Sequence, residues 1–283
     1  AGLSENKIIK IMSIKLDLSN LGSIPKIIHI SWKNKNIIGN QSPVILNGIT
    51  NLKKINPDYK LEISDDNDVE NYLKSKLKKW DYFKIKNKKI VEKIDIWRLF
   101  KIYNEGGIYI DIDRYCNISF SDIIKNDTKC ILPTCGDIDF SQDIMISCKN
   151  NPIFKKAIEF NLNGRCLINP RGVFHLGPPL YMRVITEVVF GEIKRRRPGS
   201  HIMDKYRKLL ADSKYFQTYK ENAPNDSLIF KYDVETFEKG NGLNKEQFYK
   251  SENVKDWSKG LDKNTMILIF ILLTLALILY NIL

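Results

Sequence analysis

The sequence is poor in the residues that staple or ligate. Its five cysteines (Cys116, Cys130, Cys135, Cys148 and Cys166) include no C-x-x-C pair, and its three histidines lie far apart. That argues against a structural zinc site and a disulfide scaffold. An N-terminal apolar run is missing too, because Lys7, Lys10 and Lys15 interrupt any signal-like core. There is no internal repeat and no low-complexity linker. Acidic charge is in short supply: 33 Asp+Glu face 45 Lys+Arg, a net charge of +12. At 43% hydrophobic and 28% charged, the composition is that of a globular protein, neither collagen-like nor disordered.

What is present divides the 283 residues into three parts. Residues 1–23 form an N-terminal extension and 24–260 one catalytic-sized domain. Residues 264–283 (NTMILIFILLTLALILYNIL) carry no charge. As a helix they span about 30 Å, the thickness of a bilayer's hydrocarbon core. Only Thr274 and Asn281 interrupt the run, so no polar stripe marks a core helix, and the expectation is a single-pass C-terminal membrane anchor. Lys255, Lys259 and Lys263 precede it, so the positive-inside bias places the large domain on the cytosolic side, with an endomembrane lumen as the alternative.

Along the domain, Ile24–Trp32 reads as a buried strand and Asp58–Ser64 as a second. Asp65–Asp68 is an N-cap cluster for a helix near 68–79. A longer helix is expected from about Lys88 to Glu105, ended by Gly106-Gly107. A strand over 108–113 follows, then strands near Cys130–Pro133 and Asp143–Ser147 and a helix near Pro152–Asn161. This alternation predicts an α/β fold with an open, mostly parallel sheet flanked by helices. Lys194–Gly199 reads as an exposed basic loop.

The chemistry concentrates at Asp111-Ile112-Asp113. In an extended strand, residues i and i+2 share a face, so both carboxylates can converge on one hard dication. In an open α/β sheet, ligands bind beyond the carboxyl ends of strands, where this pair is expected. Alone, D-x-D is equally the pattern of two solvated carboxylates at a loop entrance. On the preceding helix, Val91, Ile94, Leu99 and Ile102 form an apolar stripe with Asp95 and Arg98 inside it. A carboxylate and a guanidinium on a buried face are either a simple ion pair or groups aimed into a site.

Lys93–Arg98 (KIDIWR) with Tyr103–Asp113 (YNEGGIYIDID) resembles the D-x-x-R…G-G-I-Y-x-D-x-D signature of DXD glycosyltransferases. More narrowly, it is similar to the family-32 type of yeast initiating mannosyltransferases and inositol-phosphoceramide mannosyltransferases. Ile24-Pro25-Lys26-Ile27-Ile28-His29 with Trp32 resembles that family's first strand, and Leu176-Gly177-Pro178 its T-G-P. The resemblance implies a GT-A fold, a Rossmann-like open mixed sheet flanked by helices, and a retaining transfer of a hexose (mannose, galactose or glucose). It implies Mn²⁺ or Mg²⁺, a UDP- or GDP-hexose donor, and a glycan or sphingolipid-type acceptor at a membrane. By position, Asp113 would hold the metal directly, and Asp111 through water or by way of the ribose and sugar. Asp95 and Arg98 would hold the sugar. Trp32 would wall the base or, equally, pack as a core aromatic, and His29 would pack inside its strand. Gln142-Asp143 resembles the family's N-D, which makes Asp143 a candidate. The family's C-terminal His and Ser-x-Trp motif has at most a remnant at Asp256-Trp257-Ser258, so a third metal ligand is unassigned.

Two rival readings stand beside this one. A phosphatase of the haloacid dehalogenase type also uses D-x-D at a strand end, but wants Thr or Val where Tyr115 stands. A membrane-tethered binding module without catalysis would use Lys194–Arg197 on anionic headgroups. No nucleic-acid motif accompanies that patch, and no nucleic-acid partner is expected.

Overall fold

Isoleucine-rich segments with a polar or aromatic residue at every second position set up a sheet with two different faces. The structure is a computed structural model describing residues 16–37, 43–116, 119–135, 139–140, 142–162, 178–191, 216–220, 230–232 and 274. The strands are β1 (Ile27–Ser31), β2 (Lys60–Ser64), β3 (Gly107–Ile110), β4 (Arg114–Cys116), β5 (Cys130–Cys135), β6 (Asp139–Phe140), β7 (Ile144–Ser147), β8 (Phe216–Lys220) and β9 (Phe230–Tyr232). The helices are α1 (Pro43–Ile55), α2 (Asp66–Lys76), α3 (Lys79–Ile85), α4 (Ile90–Glu105), α5 (Phe120–Ile123), α6 (Pro152–Leu162) and α7 (Pro178–Phe190).

Among the described residues seven strands form one sheet in the order β2-β1-β3-β7-β5-β6, with β8 beside β5; β4 and β9 pair separately. β1 runs parallel to β2 and β3, and β8 runs parallel to β5. β3 with β7, β7 with β5 and β5 with β6 are antiparallel. The sheet is therefore open and mixed, as the resemblance implies, and not the mostly parallel one that the alternation of elements alone suggests. Short returns through β6 and β7 replace the helical crossovers that parallel pairing needs.

Ile28, Ile30, Ile108, Ile110, Ile131, Ile144 and Ile146 pack on one face with Leu52 of α1 and Phe120 and Ile123 of α5. Tyr109, Cys130, Leu132 and Met145, the residues between them, pack on the other face against α2, α4, α6 and α7. In α4 the burial runs almost unbroken from Asp95 to Ile102. The expected stripe through Val91 and Ile94 is thus too narrow: α4 touches the sheet, α2 and α6 at once. Ile96, Trp97, Leu99 and Ile102 are each 0–1% exposed. At about 1.5–3 kcal/mol per large apolar side chain, their burial outweighs the cost of carrying Asp95, Arg98 and Lys101 inward with them.

Asp65 caps α2, accepting from the Asp68 N–H while the Asp68 carboxylate accepts from the Asp65 N–H. The helix ends at Lys76 because Leu77 turns extended, so the helix expected near 68–79 is α2, three residues shorter at its end, and α3 is a further helix that follows it. Gly106 ends α4 at φ +68°, and Gly107 follows at φ +91°.

The basic loop 194–199, Leu176-Gly177 and Asp256-Trp257-Ser258 lie outside the described residues, as does 264–283 apart from Thr274. Among the described residues no helix is long and apolar enough to cross a membrane.

Candidate functional site

β3 delivers its acidic pair past its own end. The strand stops at Ile110, and the Arg114 N–H reaches back to the Asp111 carbonyl at 3.0 Å, closing a turn over Asp111–Arg114. Asp111 and Asp113 are therefore brought together by a turn, which corrects the picture of two residues on one face of a strand. The Asp111 N–H donates to the Asp143 carbonyl at 2.8 Å, so the end of β7 holds the turn down. Beneath it, Asp143 is in ion-pair contact with Arg114, whose side chain is fully buried.

Tyr109 in β3 and Asp111 just past its end both face α4. There Arg98 is ion-paired to Asp95, which is 1% exposed, and its Nη1 donates to the Gln142 carbonyl at 3.1 Å. The same nitrogen reaches Asp111 Oδ1 at 3.4 Å. The guanidinium sits 5.3 Å above the Tyr109 ring, and the Tyr109 hydroxyl donates to Asp111 Oδ1. Burial pushes the Tyr109 hydroxyl far above its ordinary range, so it stays protonated and a donor. One oxygen of Asp111 is thus held inward by two donors.

Burial also pushes the Asp111 carboxyl up, although 35% of its side chain is open. Arg98 pulls it down again, and the nearby Asp113 charge adds a second upward push. Four carboxylates (Asp95, Asp111, Asp113 and Asp143) meet two guanidinium groups (Arg98 and Arg114) here among the described residues. Within this set the carboxylates outnumber the guanidinium groups by two and gather hard oxygen donors, which is the composition a dication fits. The Gln142 side-chain amide, 2% exposed, finds no hydrogen-bond partner among the described residues.

The structure brings Asp95, Arg98, Asp111, Asp113 and Asp143 together at one end of the sheet. Trp32, 8% exposed just beyond β1, packs with Ile37, Ile45 and Ile49, so it does at least the work of a core aromatic. Arg114 and Tyr109 are the residues that sequence reading passed over. The Tyr109 signal was available in the parity of the strand. Arg114 gave none, because an arginine after a turn ordinarily reads as solvated.

A second charged cluster lies lower in the sheet, where β1–β2 register sets His29 beside Glu62. A carbonyl can only accept, so the His29 Nε2–H donates to the Gly106 carbonyl at 3.0 Å, and Nδ1 faces Glu62 Oε2 at 3.3 Å. His29 is thus packed and hydrogen-bonded inside its strand, as expected. His29, Glu62 and Glu105 place ligand atoms within 4.8 Å of one another. Lys101 Nζ lies 2.9 Å from Glu105 Oε1 and 3.6 Å from Glu62 Oε2, so an ammonium already serves both carboxylates. Burial holds the His29 pKa below its ordinary 6.5, with Lys101 also lowering it and Gly106, Glu105 and Glu62 opposing. The unfolded chain then takes up a proton below about pH 6.5 that the folded chain resists. His29 costs no stability above that pH and a growing amount as the pH falls beneath it. Urea unfolding at pH 7.5 and 5.5 should show a smaller loss in His29→Gln than in the unchanged chain; equal losses would refute the assignment.

Comparison with known proteins bears out the resemblance at the level of the DXD family. Residues 43–129 match the family described as "Glycosyltransferase sugar-binding region containing DXD motif". The chain is 28% identical over 137 residues to mannosyl phosphorylinositol ceramide synthase SUR1 of Saccharomyces cerevisiae, covering 48% of this chain and 34% of that protein. It is 24% identical over 164 residues to inositol phosphoceramide mannosyltransferase 1 of Schizosaccharomyces pombe, covering 56% of this chain and 50% of that one. The chain therefore spans a third to a half of the length of these curated relatives. Among solved structures, the PaToxG glycosyltransferase superposes with a TM-score of 0.47 at 19% identity, over 68% of this chain and 78% of that one.

Proposed function

We propose that the DXD-type sugar-binding region at 43–129 makes this chain a metal-dependent, retaining hexosyltransferase of GT-A type. The observation that carries the reading is the cluster of carboxylate oxygens at the β3 end, where Asp111 and Asp113 stand beside the Asp95–Arg98 pair. A bound Mn²⁺ or Mg²⁺ would supply a Lewis acid for the negative charge that develops on a departing diphosphate. Asp113 would hold it directly. Asp111, with one oxygen committed to Tyr109 and Arg98, would reach it through water and meet the ribose or sugar.

Arg98 is desolvated and braced by Asp95 and the Gln142 carbonyl, so its remaining donors would present charge to the pyrophosphate or sugar without reorganising. Asp95 would orient the sugar together with it. Gln142 carries a buried amide with open hydrogen-bonding capacity that a sugar hydroxyl would satisfy. Trp32 would wall the base. Among the described residues the four carboxylates of the site are given to the metal, the sugar and Arg114 and none to an enzyme nucleophile, so the acceptor hydroxyl would attack from the face the diphosphate leaves.

By their names one of the two yeast relatives synthesises mannosyl phosphorylinositol ceramide and the other is an inositol phosphoceramide mannosyltransferase, and a sphingolipid-type acceptor fits a chain whose residues 264–283 have the length and apolarity of a membrane anchor. The acceptor, the anchor and a cytosol-facing orientation belong to the proposal. The test is a panel of UDP- and GDP-hexoses incubated with the protein and Mn²⁺, scoring donor hydrolysis. One donor should turn over at least tenfold faster than the rest, and excess EDTA should abolish it. No turnover of any donor, with correct folding by circular dichroism, would overturn the reading.

A further inference from the structure

We infer that α3 docks this chain on an anionic phospholipid bilayer through a stacked pair of exposed aromatic rings set in a collar of lysines. Trp80 and Phe83, at i and i+3, share the outer face of the helix and are 67% and 55% exposed. Their rings lie 5.7 Å apart and 8° from parallel. Ile90, at the start of α4, is 37% exposed.

The other side of α3 is fixed, so the outward face is built into the fold. Ile85 is fully buried, and the Tyr82 hydroxyl donates to Glu70. Lys84 bonds Asp81 at 2.8 Å and the carbonyl of Leu162, at the end of α6, at 3.3 Å. The tie from Lys84 also takes up Asp81, the one acidic residue between positions 74 and 89. Eight lysines fill the same stretch, and Lys74, Lys76, Lys78, Lys79, Lys86 and Lys89 are exposed. Lys86 Nζ sits 4.5 Å over the Phe83 ring.

Large rings held in water beside dense positive charge match the headgroup layer of an anionic membrane. Indole and phenyl rings settle there at the acyl boundary, while lysine stems lie along them and the ammonium groups meet phosphates. Single-stranded nucleic acid, which also favours aromatics and lysines, fits less well. It stacks bases between or upon open rings, and these two are already closed on each other. The inference holds whatever the donor sugar, and independently of residues 264–283.

The test uses the full chain and its Trp80→Phe variant with phosphatidylcholine vesicles, with or without 30% phosphatidylserine, carrying lipid brominated near the headgroup. The difference in fluorescence quenching between the two chains reports Trp80 alone. Quenching of Trp80 should be at least threefold stronger on the anionic vesicles, and 0.5 M NaCl should reverse it. At about fivefold in affinity per lysine, Lys78, Lys79, Lys86 and Lys89 changed together to Gln should bring it to the neutral-vesicle level. All four are exposed, so folding should survive, as near-UV circular dichroism would verify. Equal quenching on both vesicle types, or none, overturns the inference. A lipid-independent, concentration-dependent shift of the Trp80 spectrum would do so as well, by assigning the face to a second copy of the chain.

Discussion

Asp113→Asn should lower metal-dependent donor turnover roughly a thousandfold and leave the thermal midpoint within about 2 °C of the unchanged chain. The asymmetry follows from where the two acidic residues stand. Asp113 is half-buried in a turn beyond β3, and Asn conserves its shape. What changes is charge: the site loses one negative charge, along with the ligand expected to touch the cation. Asp111→Asn should behave differently. Its Oδ1 accepts from both Tyr109 and Arg98, so that variant weakens a partly buried network and should lose stability as well as activity. Measured together, thermal melts and donor hydrolysis with Mn²⁺ separate the two roles. Excess EDTA should bring the unchanged chain down to the Asp113→Asn level and leave that variant where it is. Full activity in the variant, or full activity of the unchanged chain in EDTA, would end the metal assignment.

The contrast also marks what was legible beforehand. Local chemistry announces itself: Asp65 with Asp68 signals a cap, Gly106-Gly107 signals the end of α4, and alternation in Ile108-Tyr109-Ile110 signals a two-faced strand. The Asp95–Arg98 pair could be read because two charges inside an apolar run are conspicuous. Sheet direction came only from the family resemblance, since β6 and β7 return through short connections in a stretch whose composition resembles that of any buried strand. The turn at Asp111–Arg114 could not be read. It is specified by partners far along the chain, the Asp143 carbonyl and carboxylate, that no local pattern around residue 111 contains. Arg114 shows the same limit from the other side. A side chain that reads as solvated is fully buried, because a carboxylate nearly thirty positions later arrives beside it.

The largest effect on stability should come from a methyl group at the opposite end of β3 from the acidic turn. A Cβ on Gly107 would lie 2.5 Å from the Ile27 carbonyl oxygen, well inside contact distance. That oxygen belongs to β1, which is pinned on one side by parallel pairing with β2 and on the other by β3 itself. It cannot step back without breaking register. Gly107 also holds φ +91°, a conformation that strains any residue with a side chain. Steric overlap and strain together should cost Gly107→Ala about 3–5 kcal/mol, a drop in melting temperature of roughly 10 °C. Gly48→Ala supplies the opposing control. Gly48 sits inside α1 with nothing within 4 Å of its missing Cβ, so there the substitution should stabilise by about 0.5–1 kcal/mol. Opposite signs for one chemical change would show that the second glycine of the G-G pair serves close approach of β3 to β1, not flexibility. Since Asp111 and Asp113 hang from the far end of β3, the Gly107→Ala protein that still folds should also bind donor more weakly. A melting temperature unchanged by Gly107→Ala would mean that β1 and β3 do not meet as described, and the placement of the acidic turn would fall with them.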